Sequence, residues 1–135
     1  MKIKLNDIYK HEFSFSQADI IAFAAVTGDK NPVHLDANYA ATTMFKLPIM
    51  HGMLGASLFS KVFGTLFPGE GTIYLKQSLA FLKPMFVETS YEAVFTVKEI
   101  NTEKHRAIIE TVIFDKLSGA ICTSGEATVM NTTKI

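Results

Sequence analysis

The feature that most constrains the fold is an apolar run in the middle of the chain, His51-Gly52-Met53-Leu54-Gly55-Ala56-Ser57-Leu58-Phe59-Ser60-Lys61-Val62-Phe63-Gly64-Thr65-Leu66-Phe67, in which Lys61 is the one charge. A helix that is apolar on nearly every side is buried on nearly every side, so the rest of the chain must supply walls around it. From Gly52 to Phe67 it has about 16 residues, short of the ~20 that cross a bilayer. A core helix is therefore expected. Gly52, Gly55, Ala56, Ser57 and Ser60 are small and would let strand backbones or a second subunit approach closely.

The walls are legible downstream. Thr72–Leu82, Tyr91–Ile100, Ala107–Asp115 and Ala120–Met130 are rich in β-branched and aromatic residues with partial alternation, and Pro68-Gly69, Lys83-Pro84, Asn101 and Ser118-Gly119 punctuate them. Strands this long can wrap around a central helix. Upstream, Tyr9–Phe15 reads as a strand, and Ser16-Gln17-Ala18-Asp19 resembles a capping box that opens a helix. Ile20, Ile21, Phe23, Ala24 and Val26 would dock that helix on the core before it ends near Thr27-Gly28, and Asp36 would cap a short helix through Thr42. One strand, then helices, then a series of strands indicates an α+β fold. Without repeats or linkers, residues 1–135 are expected to form one domain.

Composition removes several function classes. Lys and Arg number 13 and Asp and Glu 13, so no net field favours nucleic acid or an anionic membrane. The lone Cys122 excludes an internal disulfide and fits a reducing compartment. Met1-Lys2-Ile3-Lys4-Leu5-Asn6-Asp7 has no signal-peptide run, which makes a soluble cytoplasmic protein the expectation.

The chemistry concentrates in Gly28-Asp29-Lys30-Asn31-Pro32-Val33-His34, which holds a carboxylate, a carboxamide and an imidazole. Gly-Asp and Asn-Pro are turn dipeptides, and proline fixes its own φ and keeps Asn31 out of the helical region, so a stiff, bent loop is expected. On the residues alone two readings stand. Asp29 and His34 form a proton-transfer pair, with histidine titrating near neutrality and the carboxylate able to take a proton from water. Alternatively, Asp29 is a turn residue, His34 a core histidine satisfied by backbone, and Asn31 a turn former.

His51-Gly52 is the second place where chemistry could reside. If the apolar helix begins there, its first amides are unpaired and lie at the positive end of the helix dipole, where a developing oxyanion would be stabilised. A charged His51 is disfavoured at that end, so a neutral, structural ring is expected. Asp29, His34, Asp36 and His51 lack the spacing of known zinc motifs, Gly69-Glu70-Gly71 lacks a phosphate-loop lysine, and Gly-x-Ser-x-Gly is absent. Neither a metal nor a serine nucleophile is expected.

The stretch from Phe23 to Asp36, with its Asp-x-Asn-Pro-x-His core, resembles the signature of the MaoC-like (R)-specific enoyl-CoA hydratases. The likeness continues through Tyr39–Thr43, Pro48–Leu54 with its His-Gly-Met, Ala56–Ser60, Pro68–Leu75, Gln77–Phe81 and Pro84–Val87. It implies a hot-dog fold, in which an antiparallel sheet wraps a long apolar helix, an overhanging segment carries the dyad, and two subunits join their sheets as a homodimer. It also implies that Asp29 and His34 are catalytic, that Asn31 holds their geometry, that the Gly52 amide receives the thioester oxygen, and that Ser60 lies near the dyad in the acyl pocket. The implied reaction is syn addition of water to a trans-2-enoyl-CoA, giving an (R)-3-hydroxyacyl-CoA. Coenzyme A is then part of the substrate and no separate cofactor is implied; candidate cations for its phosphates are Lys46, Lys61, Lys76, Lys83 and Arg106. Two rivals are a hot-dog acyl-CoA thioesterase and a non-catalytic acyl-CoA-binding subunit. The absence of Asp or Glu from Gly52–Phe67 argues against the first, and the presence of both dyad residues against the second.

Overall fold

A computed structural model describes residues 1–135. In chain order the elements are β1 (Ile8–Phe13), α1 (Gln17–Thr27), α2 (Pro32–Leu35), α3 (Ala37–Ala41), α4 (Gly52–Thr65), β2 (Ile73–Gln77), β3 (Ala80–Phe81), β4 (Tyr91–Asn101), β5 (Arg106–Asp115) and β6 (Ile121–Met130). All strand pairings are antiparallel, in the order β1-β4-β5-β6-β2, with the short β3 also on β6. Along β4 the buried residues are Tyr91, Ala93, Phe95 and Val97, the period-2 alternation of a sheet with one face on the core. Against that face lies α4, with the Phe59 and Phe63 rings set edge-on to Phe95 at 5.7 and 5.2 Å. Burying each such ring contributes about 1.5–3 kcal/mol. The α+β expectation holds, and the wrapping of an antiparallel sheet around one apolar helix is the hot-dog arrangement.

The local signals hold at the start of the chain. Ser16 Oγ accepts from the Asp19 amide and the Asp19 carboxylate accepts from the Ser16 amide, closing the capping box. Gly28 ends α1 at φ 79°, in the left-handed region where glycine lacks the steric cost of a Cβ. Asp36 Oδ1 accepts from the Asn38 and Tyr39 amides and caps α3.

Four expectations need correction. Of the apolar residues on α1 only Ile20 and Ala24 are buried, with Phe23 half-buried; Ile21 and Val26 face solvent, because one helix face meets the core and this helix is apolar on more than one face. Likewise α4 is not enclosed on all sides: Met53, Ser57, Ser60 and Gly64 are exposed along one face, at the spacing of a single helical stripe. The strand expected over Thr72–Leu82 is broken into β2 and β3. At the break, Ser78 donates to the Glu126 carbonyl while the Glu126 amide donates to Ser78 Oγ, and the chain crosses β6 over Gly125. Finally, the segment expected as a loop up to His34 is a loop only to Asn31; residues 32–35 make one helical turn, because proline at the first helical position needs no amide partner and is already at helical φ.

Candidate active site

His34 owes its position to α2. Asn31 is the N-cap of that turn, its Oδ1 accepting from the Val33 amide at 3.2 Å. The turn is tied down on two sides: Gln17 Nε2 donates to the His34 carbonyl at 3.0 Å, and the Ile49 amide donates to the Val33 carbonyl at 3.1 Å. The His34 side chain is buried, and its Nδ1 lies 2.7 Å from the Ile49 carbonyl. A carbonyl can only accept, so Nδ1 carries a proton and the other ring nitrogen, Nε2, is left to exchange one.

Asp29 sits exposed on the loop between α1 and α2. Its amide donates to Thr27 Oγ1 at 3.2 Å, and its Oδ1 accepts from the Asn31 amide at 3.3 Å. One carboxylate oxygen of Asp29 and one ring nitrogen each from His34 and His51 lie within 4.8 Å of one another. The structure thus brings together the carboxylate and the imidazole singled out in the sequence.

Gly52 begins α4. The Leu54 and Gly55 amides donate to the His51 carbonyl at 3.0 and 3.3 Å. The Gly52 amide stands ahead of them, in the first turn, where no partner exists within the helix. A Cβ at Gly52 would come within 2.7 Å of the Phe81 ring, so only glycine leaves that ring where it is. Asp29, His34, His51 and Gly52 share the wall of one cavity of about 550 Å³, closed on its apolar sides by residues that include Phe45, Met53, Phe81 and Met85.

These features match known proteins along most of the chain. Residues 4–118 match the family described as MaoC like domain. The chain belongs to the MaoC-like domain family. It is 48% identical over 115 residues to the (R)-specific enoyl-CoA hydratase of Aeromonas caviae, with 85% of each chain covered. To the (R)-specific enoyl-CoA hydratase of Rhodospirillum rubrum it is 41% identical over 117 residues, covering 87% of this chain and 80% of the other. The solved structure described as the (R)-hydratase from A. caviae involved in PHA biosynthesis superposes with a TM-score of 0.91 at 43% identity, covering 96% of this chain and 97% of that one.

In this MaoC-like domain Ser60 does not line the cavity shared by Asp29 and His34, where the resemblance had placed it. It lines a neighbouring one of about 490 Å³ with Phe23, Ala56, Tyr74 and Leu79, and Met53 is a wall of both. Among the candidate cations Lys83 lines the first cavity and Lys76 the second. Asp36 is occupied in capping α3. The ring planes of His34 and His51 are 28° apart with centroids at 3.8 Å. No helix of the MaoC-like domain is long and apolar enough to cross a membrane.

Sequence reading missed Phe81 and Met85 as walls of the site. The one signal that could have found them is Pro84 beside them: the chain turns there and returns to the start of α4, where the Met50 amide donates to the Met85 carbonyl at 2.7 Å.

Proposed function

We propose that this chain hydrates trans-2-enoyl-CoA to (R)-3-hydroxyacyl-CoA. The observation that carries the reading is the convergence of a carboxylate, a histidine with one free ring nitrogen and the first amide of a buried helix on a single apolar cavity. Asp29 takes the proton of a water as its oxygen attacks C3. His34 delivers a proton from Nε2 to C2, and its Nδ1–H to the Ile49 carbonyl holds the ring while the charge changes. The two groups lie within 4.8 Å of each other in one cavity, so the two additions occur on one face of the double bond. Negative charge grows on the thioester oxygen, and the Gly52 amide is its donor; one such donor is worth about 3 kcal/mol in other enzymes. Asn31 acts as the cap that sets the Asp29-to-His34 geometry. Ser60, across Met53, lines the space an acyl chain would enter. Coenzyme A is part of the substrate and no cofactor takes part.

The test is hydration of crotonyl-CoA and longer enoyl-CoAs, with the handedness of the product determined. Loss of enoyl absorbance with an (R) product is expected. Release of free CoA with the absorbance retained would replace this reading with the thioesterase, and no turnover of any enoyl-CoA with the binding subunit. Supply of polyester precursors and fatty-acid oxidation both use this reaction.

The protein acts as a homodimer in a cytoplasmic setting. Supporting the dimer, β2 is an edge of the sheet with its outer side unpaired, and Ile73 on it is 51% exposed. The exposed small residues Ser57 and Ser60 on α4 give a second copy room. A lysine on an edge strand opposes strand addition. Light scattering on a sizing column is expected to give twice the chain mass for the wild type and a monomer for Ile73→Lys; a monomeric wild type would sink the dimer.

A further inference from the structure

We infer that His51 is a positioning residue that holds both members of the dyad through one imidazole. This rests on the reading of Asp29 and His34 as the catalytic pair. His51 is the N-cap of α4, yet its side chain makes no capping hydrogen bond. Its ring is only 2% exposed, and Nδ1 is buried with no hydrogen-bond partner. An unpaired buried nitrogen costs stability that an apolar ring of the same size would not, so packing alone does not account for a histidine here. What the imidazole does provide is Nε2, 3.0 Å from the backbone carbonyl of Asp29. The carbonyl accepts, so Nε2 carries the proton and the tautomer is fixed with Nδ1 bare.

The face of the same ring lies on His34, centroid to centroid at 3.8 Å. Phe23 also contacts the His51 ring, tilted to it by 57° with centroids at 4.9 Å. His51 at the start of α4 therefore touches Phe23 on α1 and stacks on His34 on α2, and its hydrogen bond reaches Asp29. The neutral form of His51 suits this place, since His34 must carry a second proton to act as the acid and two stacked imidazolium rings would repel. The next residue is Gly52, so the same anchor sets the dyad relative to the oxyanion amide. Displacing reacting groups by about an ångström costs on the order of 10²-fold in rate.

His51→Phe keeps the stack and removes the hydrogen bond; His51→Gln keeps a donor near Nε2 and removes the stack. For folded His51→Phe, kcat on crotonyl-CoA is expected to fall about 10- to 100-fold with KM little changed. His51→Gln is expected to recover part of that loss. A kcat within about twofold of wild type in His51→Phe, or a loss that falls equally on KM and thermal stability with kcat per folded molecule intact, overturns the inference. Should His51→Phe fail to fold, folded His51→Met, which has neither the ring nor a donor to the Asp29 carbonyl, decides, since an unchanged kcat there overturns it. Asp29→Asn and His34→Ala are assayed alongside. Activity retained by those variants removes the dyad reading itself, whereas their inactivity beside an active His51→Phe removes only the role of His51.

Discussion

Replacing Asp29 by asparagine is expected to lower kcat for crotonyl-CoA hydration about hundredfold or more, with the fold intact. The side chain is exposed and its one backbone contact, the Asn31 amide on Oδ1, can be kept by an asparagine oxygen. What is lost is the ability to take a proton from water, so the loss belongs in kcat. His34→Ala is expected to cost a similar factor in kcat, but it also leaves the Ile49 carbonyl without its donor and empties the space beneath the His51 ring. A stability loss of about 1–3 kcal/mol accompanies that change, so its circular dichroism and Tm should be measured with its kinetics. Near-wild-type hydration by Asp29→Asn would remove the carboxylate from the mechanism, whatever else the site retained.

The largest expected effect on stability lies away from the chemistry, at Gly125→Ala. A Cβ there would stand 1.8 Å from the Ser78 carbonyl oxygen and 2.8 Å from its carbon. The obstacle is backbone, held by the Ser78 amide on the Glu126 carbonyl and by the Glu126 amide on Ser78 Oγ, so no side-chain rotation relieves it. Overpacking of this kind costs about 3 kcal/mol, or roughly 10 °C in Tm for a domain of this size. Gly64→Ala is the matched control. A Cβ at that exposed helical position meets nothing within 4 Å, and alanine there is expected to stabilise by about 0.5–1 kcal/mol. Thermal melts of the two variants side by side check both, and equal Tm values would show that the crossing over Gly125 is wrong.

The elements that were legible in the sequence are those set by nearby residues. The Ser16–Asp19 box, the left-handed Gly28 and the Asp36 cap each satisfy backbone groups within a few positions, so local chemistry decides them. The β4 and β5 strands were visible because half-burial imposes alternation, and β6 alternates over its second half. The break at Ser78 was not, because nothing in Thr72–Leu82 indicates that β6 will place Gly125 beneath it. The exposed faces of α1 and α4 were misread for a related reason: an apolar residue records that it can be buried, and the packing partner decides whether it is.

The candidate site divides along the same line. Composition, turn chemistry and a family signature were enough for the fold class, the central helix and the candidate residues Asp29, Asn31, His34 and Gly52. The packing of the elements settled that α2 presents His34 beside Asp29, that His51 stacks on one and hydrogen-bonds the backbone of the other, and that Ser60 faces a second cavity across Met53. Those relations join α1, α2, the Ile49–His51 segment and α4. Contacts between elements distant in the chain depend on how whole helices and strands pack, and that geometry is absent from any single segment.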